Sequence, residues 1–289
     1  MQAPAANQRI AFEVAFEDTR LLVVVKHKGL VTRPGRGHER DTLVNGVMAH
    51  YGAVLSRLGA DRDFGLLHRL DRASSGLVAF ALTAESYDAL RQAFASRNIA
   101  KTYLAWTRSP PPKRRQTIRI RLLEVRLEDR KLSVPDLRGE EAVTHIETLA
   151  LGTDGTALVR CSIETGRLHQ IRAHLAWLGC PLEGDQVYAR PGLAPDGRAS
   201  AARHADRTLL LHAWRLDLPH PARRGRLEVE APLPEAWQHR AHRAGINLAQ
   251  VLGSGAGLAK RVATDTINPG RAKGPVSRSS SKSYGDRPR

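Results

Sequence analysis

Gly65-Leu-Leu-His68-Arg69-Leu70-Asp71-Arg72-Ala-Ser-Ser-Gly76-Leu-Val-Ala-Phe80 is the stretch on which the reading of this chain turns. It sets one carboxylate, Asp71, between Arg69 and Arg72, just ahead of a turn and an apolar run. Ser74-Ser75-Gly76 supplies a turn that aims the carboxylate outward, and residues 76–82 read as a strand. A carboxylate beside guanidiniums should stay ionised, and an anionic carboxylate can serve as a covalent nucleophile. The structural alternative is an aspartate that pairs with Arg69 or Arg72 in a turn and does no chemistry.

Working upstream, Leu21-Leu-Val-Val-Val25 is a β-branched run and reads as a buried strand, with an earlier strand beginning at Ile10. Residues 1–9 are small and polar and read as a loose arm. Residues 32–40 carry Pro34, Gly35 and Gly37 among basic side chains, including Arg33 and Arg36, and read as a mobile cationic loop. Asp41 is placed to cap a helix that starts at Thr42. Downstream, Thr83 caps a second helix through Phe94, and residues 99–106 form a strand stopped by Pro110-Pro-Pro112. Residues 118–132 alternate apolar and charged side chains, as a half-exposed antiparallel strand or pair should. Strands follow at 143–151 and 157–163, then a helix at 169–178 ended by Gly179 and Pro181. Strands at 209–218 and 227–231 and a closing helix at 235–244 complete the folded part. From Gly253 the chain is rich in Gly, Ser, Arg and Lys, and residues 253–289 read as a disordered basic tail. Many short strands with a few helices indicate an α+β fold on a mainly antiparallel mixed sheet with flanking helices. The folded domain is assigned to residues 10–248.

Composition narrows the partner. Lys plus Arg number 45 against 29 Asp plus Glu, a formal charge of +16 in 289 residues. A field of that sign favours a polyanion; a merely solubilising surface is the alternative. The two cysteines, Cys161 and Cys180, show no metal spacing and sit in apolar surroundings, which suits small buried hydrophobes in a reduced, cytoplasmic compartment. No apolar leader or run of membrane-spanning length occurs, so a secreted or membrane-spanning protein is not expected.

Two more segments carry chemistry. Gly166-Arg167-Leu-His169-Gln170-Ile171-Arg172-Ala-His174 places donors at a turn leading into a helix start, where unpaired N–H groups favour anions. His169 and His174 lie five residues apart, pointing about 140° from one another on a helix, and no ligand-spaced carboxylate accompanies them, so no metal is expected. Lys101-Thr102-Tyr103 on a strand puts Lys101 and Tyr103 on one face. Tyr103 is either a core tyrosine with a satisfied hydroxyl or a cleft-facing ring on which an extruded base stacks. Lys113-Arg114-Arg115, beside the prolines, is either a solvated loop or a set of phosphate contacts. Trp106, Trp177, Trp214 and Trp237 are scattered and read as core and rim packing.

Together these segments resemble the RluA-type pseudouridine synthases, which carry His-Arg-Leu-Asp-Arg with a Thr-Ser-Gly turn, then Lys-x-Tyr, then Gly-Arg-x-His-Gln-Ile-Arg-x-His in this order. Pro181-Leu-Glu-Gly184-Asp185 with Tyr188, and Leu211-His212-Ala213 leading to His220-Pro221, extend the likeness over about residues 12 to 240. Ala73-Ser74 stands where the family more usually has Asp-Thr, and Lys26-His27-Lys28 where it has Lys-Pro-x. The family often carries an N-terminal S4 RNA-binding domain; none is expected here, because only nine residues precede Ile10 in this sequence.

The resemblance implies a synthase fold with a central RNA-binding cleft. It also implies isomerisation of a specific uridine in rRNA or tRNA, with breakage of the N1–C1′ bond and rejoining through C5. Asp71 would be the nucleophile, attacking ribose C1′ or acting by deprotonation at the sugar. Arg172 would be its partner, and Tyr103 the ring that stacks on the target base. RNA contacts are expected from Arg69, Arg72, Lys101, Arg167, His169, Gln170, Arg33, Arg36, Lys113, Arg114 and Arg115. No cofactor is expected, and the default oligomeric state is a monomer. Two other classes compete. A non-catalytic RNA-binding or ribosome assembly factor of the same fold would have no chemical reason to keep Asp71, Tyr103 and Arg172 together. A glycoside or nucleoside hydrolase would need a second carboxylate as acid; no partner for Asp71 stands out in the sequence, and Asp185 stays open for that role.

Overall fold

The computed structural model describes residues 2–127, 130–188, 208–253 and 266–267. In chain order the elements are β1 (Phe12–Glu17), β2 (Leu21–Lys26), α1 (Leu43–Leu58), a 3-10 segment (Ala60–Gly65), β3 (Ser75–Ala81), α2 (Ala84–Ala95), β4 (Ala100–Thr107), β5 (Arg115–Leu127), β6 (Arg130–Pro135), β7 (Glu140–Leu151), β8 (Ala157–Ile163), α3 (Gln170–Trp177), β9 (Leu211–Pro219), β10 (Arg226–Glu230), α4 (Glu235–Arg243), α5 (Leu248–Leu252) and β11 (Thr266–Ile267). The strands form one eleven-stranded sheet in the order β11-β1-β2-β3-β9-β4-β8-β7-β5-β6, with β10 added to β9. The α+β fold and its mainly antiparallel mixed sheet are therefore as the sequence indicates. Residues 118–132 resolve as a pair, β5 and β6, from Leu122↔Pro135 to Leu127↔Arg130.

β2 and β3 lose the alternation of a half-exposed strand because both faces are covered. Leu22 and Val24 join a core cluster with Leu43, Val44, Val47 and Leu55 of α1 and Ile171 and Leu175 of α3. Leu21, Val23 and Val25 pack on the other face against Tyr87, Leu90 and Ala93 of α2. A third cluster joins Trp106 and Trp214 to Trp237 and Ala241 of α4. Both cysteine thiols are buried and free, and burial pushes the Cys180 thiol up to about 12.

The parallel pairing of the sheet is a short one. β3 meets β9 only at Ser75↔His212 and Gly76↔Ala213, while the far half of β9 pairs with β10. Two half-sheets are thus joined at Gly76. Its φ is +116°, and a Cβ there would stand 2.2 Å from the Ala213 carbonyl oxygen, so only glycine admits the close approach. The loop carrying Asp71 runs directly into this junction.

Three local details differ from expectation. The N-cap of α1 is Thr42, whose hydroxyl accepts the Asn45 N–H while the Asn45 side chain accepts the Thr42 N–H. Asp41 is not available for capping because its carboxylate is engaged by His38 at 2.9 Å. The helix expected from His169 starts at Gln170, with His169 left-handed at φ 52°. The expected loose arm is tied at 5–7: Asn7 donates its N–H to the Asn45 carbonyl, and the Asn45 amide donates to the Ala5 carbonyl. The expected tail, residues 253–289, lies outside the described residues apart from Gly253 and β11, which pairs with β1. Among the described residues, no helix is long and apolar enough to cross a membrane.

Candidate active site

Asp71 lies between the 3-10 segment and β3, on a loop whose backbone is clamped from behind. The Thr32 hydroxyl donates to the Leu70 carbonyl at 2.7 Å and accepts the Leu70 N–H at 3.2 Å. Gly29 donates its N–H to the Arg72 carbonyl at 2.7 Å, and the Arg72 guanidinium donates back to the Gly29 carbonyl at 3.1 Å. The Ser74 N–H closes a turn on the Asp71 carbonyl. Lys26 ends β2 fully buried, and its ammonium donates to the carbonyls of His27 and Leu30, at 2.9 and 2.8 Å, with Arg72's carbonyl at 3.5 Å. Burial pulls the Lys26 amine down to about 8, and the negative charge of Asp71 acts in the other direction. One cation therefore stitches residues 27–30 to the loop of the carboxylate.

The sequence neighbours of Asp71 are not its partners. Arg72 is spent on Gly29, and Arg69 points to solvent. The ion-pair contacts come from a distant segment: Arg172 Nη1 at 3.5 Å and His169 Nε2 at 3.7 Å from the same Oδ2. Arg172 is itself anchored. Its Nε and Nη2 donate to the two Asp185 oxygens at 2.8 and 3.1 Å, and its guanidinium lies 5.1 Å from the Tyr188 ring centre. Asp185 is fully buried and also accepts the N–H groups of Val187 and Tyr188. Burial alone would raise this carboxyl; Arg172 and the two N–H groups outweigh it and hold it below the ordinary carboxylate range. Asp71, by contrast, keeps 25% of its side chain exposed, toward a cavity of about 320 Å³.

That cavity brings together Asp71, Tyr103, Arg172, Arg69, Lys101, Arg167, His169 and Gln170 from the sequence-derived set. The Tyr103 hydroxyl is held well above its usual pKa by burial, reinforced by the charge of Asp71, so it is a neutral phenol. Lys101 lies over the Phe94 ring at 5.9 Å, and burial lowers its pKa. Gln170 is in the wall but turned inward. Its amide donates to the Val143 carbonyl and Thr144 hydroxyl, and its oxygen accepts the Arg167 N–H and Thr165 hydroxyl. All its polar capacity is used within the protein, where it holds the turn. His174 likewise turns away, to the Thr144 hydroxyl, and burial lowers it to about 4.

Other expected contacts are not brought to the cavity. Arg33 pairs with Asp63 at 3.4 Å, and Arg36, Lys113 and Arg114 are exposed outside the lining. Arg115 pairs with Glu147 at 2.7 Å. Ile118 and Ile146 face the Tyr103 core, so by strand alternation Arg115 and Glu147 face the opposite side of the sheet. His68, Phe94 and Arg91 line the cavity although the sequence reading gave them no part in the site. His68 accepts the Ala79 N–H at its Nε2 and is pushed down to about 3 by burial, which keeps it neutral. Phe94 and Arg91 come from α2, whose helical pattern gave no hint of the cavity.

The model of the RNA pseudouridylate synthase family matches residues 20–177, which span every element that supplies Asp71, Tyr103 and Arg172. The chain belongs to that family. This pseudouridylate synthase is 34% identical over 251 residues to ribosomal large subunit pseudouridine synthase D of Zymomonas mobilis, covering 81% of this chain and 74% of that protein. It is 34% identical over 237 residues to the protein of the same name from Nitrosomonas europaea, covering 79% of this chain and 64% of that one. Its fold matches the human RNA pseudouridylate synthase domain containing 4 with a TM-score of 0.62 at 23% identity, over 81% of this chain and 94% of that one. The synthase is accordingly an isomerase of RNA.

Proposed function

We propose that this synthase converts a uridine of large-subunit ribosomal RNA to pseudouridine, with Asp71 as the nucleophile. The observation that carries the reading is the Asp71 carboxylate itself. It is open to the cavity on one side and held at Oδ2 by an arginine that buried Asp185 anchors from behind. A carboxylate in that position serves attack on ribose C1′ or removal of a sugar proton, and both routes need the base turned out of its stack. Tyr103 offers a neutral ring for the extruded base, and Arg69, Lys101 and Arg167 ring the opening with positive charge. The +16 charge suits the polyanion. The ribosomal substrate is favoured over tRNA by the names of the relatives, and such a substrate supports a cytoplasmic location. Residues 10–248 form the catalytic unit.

A hydrolase is disfavoured by the same geometry, because Asp185, the second carboxylate, is buried and paired, not free to act as an acid. The deciding experiment maps pseudouridines in total RNA from cells with and without the gene, complemented by wild type or Asp71→Asn. A ribosomal site that disappears without the gene and returns only with wild type supports the proposal. Restoration by Asp71→Asn removes the nucleophile from it, and loss confined to tRNA removes the substrate.

A further inference from the structure

The contact between His169 and Asp71 is the end of a longer chain. The Tyr188 hydroxyl oxygen accepts the Ser133 N–H at 2.8 Å and lies 3.1 Å from His169 Nδ1. The two rings meet edge to face, at 5.6 Å and 88°. The Ser133 N–H takes one lone pair of the phenol oxygen; the hydroxyl's own proton still needs an acceptor, and among the described residues Nδ1 is the one within its reach. A neutral imidazole carries one N–H, so a lone pair at Nδ1 puts the proton on Nε2. That nitrogen stands 3.7 Å from Asp71 Oδ2.

We propose that the chain Ser133–Tyr188–His169 locks the imidazole in its Nε2–H tautomer and that this N–H orients the Asp71 carboxylate, making His169 a positioning residue and not a ligand for RNA. The opposite tautomer would set a nitrogen lone pair against the carboxylate and push it out of line. Burial, the largest influence on the ring, disfavours its charged form, and Asp71 only partly opposes this, so a neutral donor is the state at hand. The 3.7 Å separation is longer than a hydrogen bond; contacts of this kind shorten when substrate closes the site. β6, an edge strand far from Asp71 in sequence, thereby gains a role through the Ser133 backbone.

The proposal rests on Asp71 being the nucleophile, and its test separates the two. Long-range ¹H–¹⁵N spectra of full-length protein labelled at histidine, with His169→Gln to assign the signal, should show His169 as the Nε2–H tautomer. Tyr188→Phe should turn it into a mixture. On an RNA substrate, His169→Ala and Tyr188→Phe should each lower kcat by roughly tenfold or more, as loss of one hydrogen bond to a charged group predicts, with KM unchanged. His169→Gln, which keeps a neutral N–H, should recover part of the loss. An Nδ1–H or doubly protonated ring in the wild type overturns the proposal. So does a His169→Ala variant with raised KM and unchanged kcat, the mark of an RNA ligand. Activity retained by Asp71→Asn would instead sink the nucleophile while leaving the tautomer result standing.

Discussion

The guanidinium of Arg172 docks on Asp185 through Nε and Nη2, at 2.8 and 3.1 Å, and the third nitrogen is thereby held 3.5 Å from Asp71. The buried pair fixes direction, since a lone arginine side chain has too much rotamer freedom to present one nitrogen reliably. Asp185→Asn should strand a buried cation, at a cost of about 3–5 kcal/mol. For a domain of this size that is a fall in Tm of roughly 6–20 °C. Catalytic rate should fall further than RNA affinity, because Arg172 loses its aim and not its charge. Thermal melts beside single-turnover kinetics check both; an unaltered Tm would mean that the pair contributes nothing net.

The same pair gives a pH dependence. The folded Asp185 carboxyl lies below its ordinary value, so its contribution is present above the unfolded value near 4 and disappears as pH falls through the lower folded value. Wild type and Asp185→Asn should therefore differ most near neutrality and converge in strong acid. Chemical denaturation across pH 2–7 reads the gap. A constant difference would show that the carboxyl titrates alike in both states.

Lys26 gives a slope of the same sign in a more alkaline window. Its folded amine is pulled down to about 8 from the ordinary 10.5, so between these values the unfolded chain binds more protons than the folded one. Stability should rise with pH across that window relative to Lys26→Met. Below pH 8 the buried charge is a constant burden, offset by its bonds to the His27 and Leu30 carbonyls. Lys26→Met should also cut turnover, because those bonds hold the loop behind Asp71. Parallel pH profiles for the two proteins that fail to diverge above pH 8 would contradict this.

These relationships also show what the chain reveals when read linearly. Strands, helices and the three motifs are local, carried by β-branched runs, Thr caps and Gly turns, and they were legible. So was the set Asp71, Tyr103 and Arg172, because the motifs match a known pattern. The partnerships were not. Arg69 and Arg72 flank Asp71 in sequence, yet the turn sends one to solvent and the other to Gly29. Lys26 comes to Asp71 through the β2–β3 register, Lys26↔Gly76, although a lysine closing five apolar residues was a usable sign. Gln170 sits within a motif rich in donors, and only its four internal bonds show that its polar atoms are engaged within the protein. For Arg115 the sequence offers charge and exposure beside the prolines, and neither says on which face of a sheet a side chain emerges.

That last distinction can be measured. Arg69 is exposed at the rim of the Asp71 cavity, whereas Arg115 is paired with Glu147 across the sheet from it, with 76% of its side chain exposed. Arg69→Ala should weaken RNA binding and reduce the salt slope of log K by about one unit, as loss of one phosphate contact requires. Arg115→Ala should leave both affinity and slope unchanged, and stability within about 1 kcal/mol, since an exposed ion pair contributes little. Titrations at several salt concentrations with a ribosomal RNA fragment separate the two. Equal losses of affinity would mean that RNA reaches both faces of the sheet, and the single-cleft picture of binding would have to be abandoned.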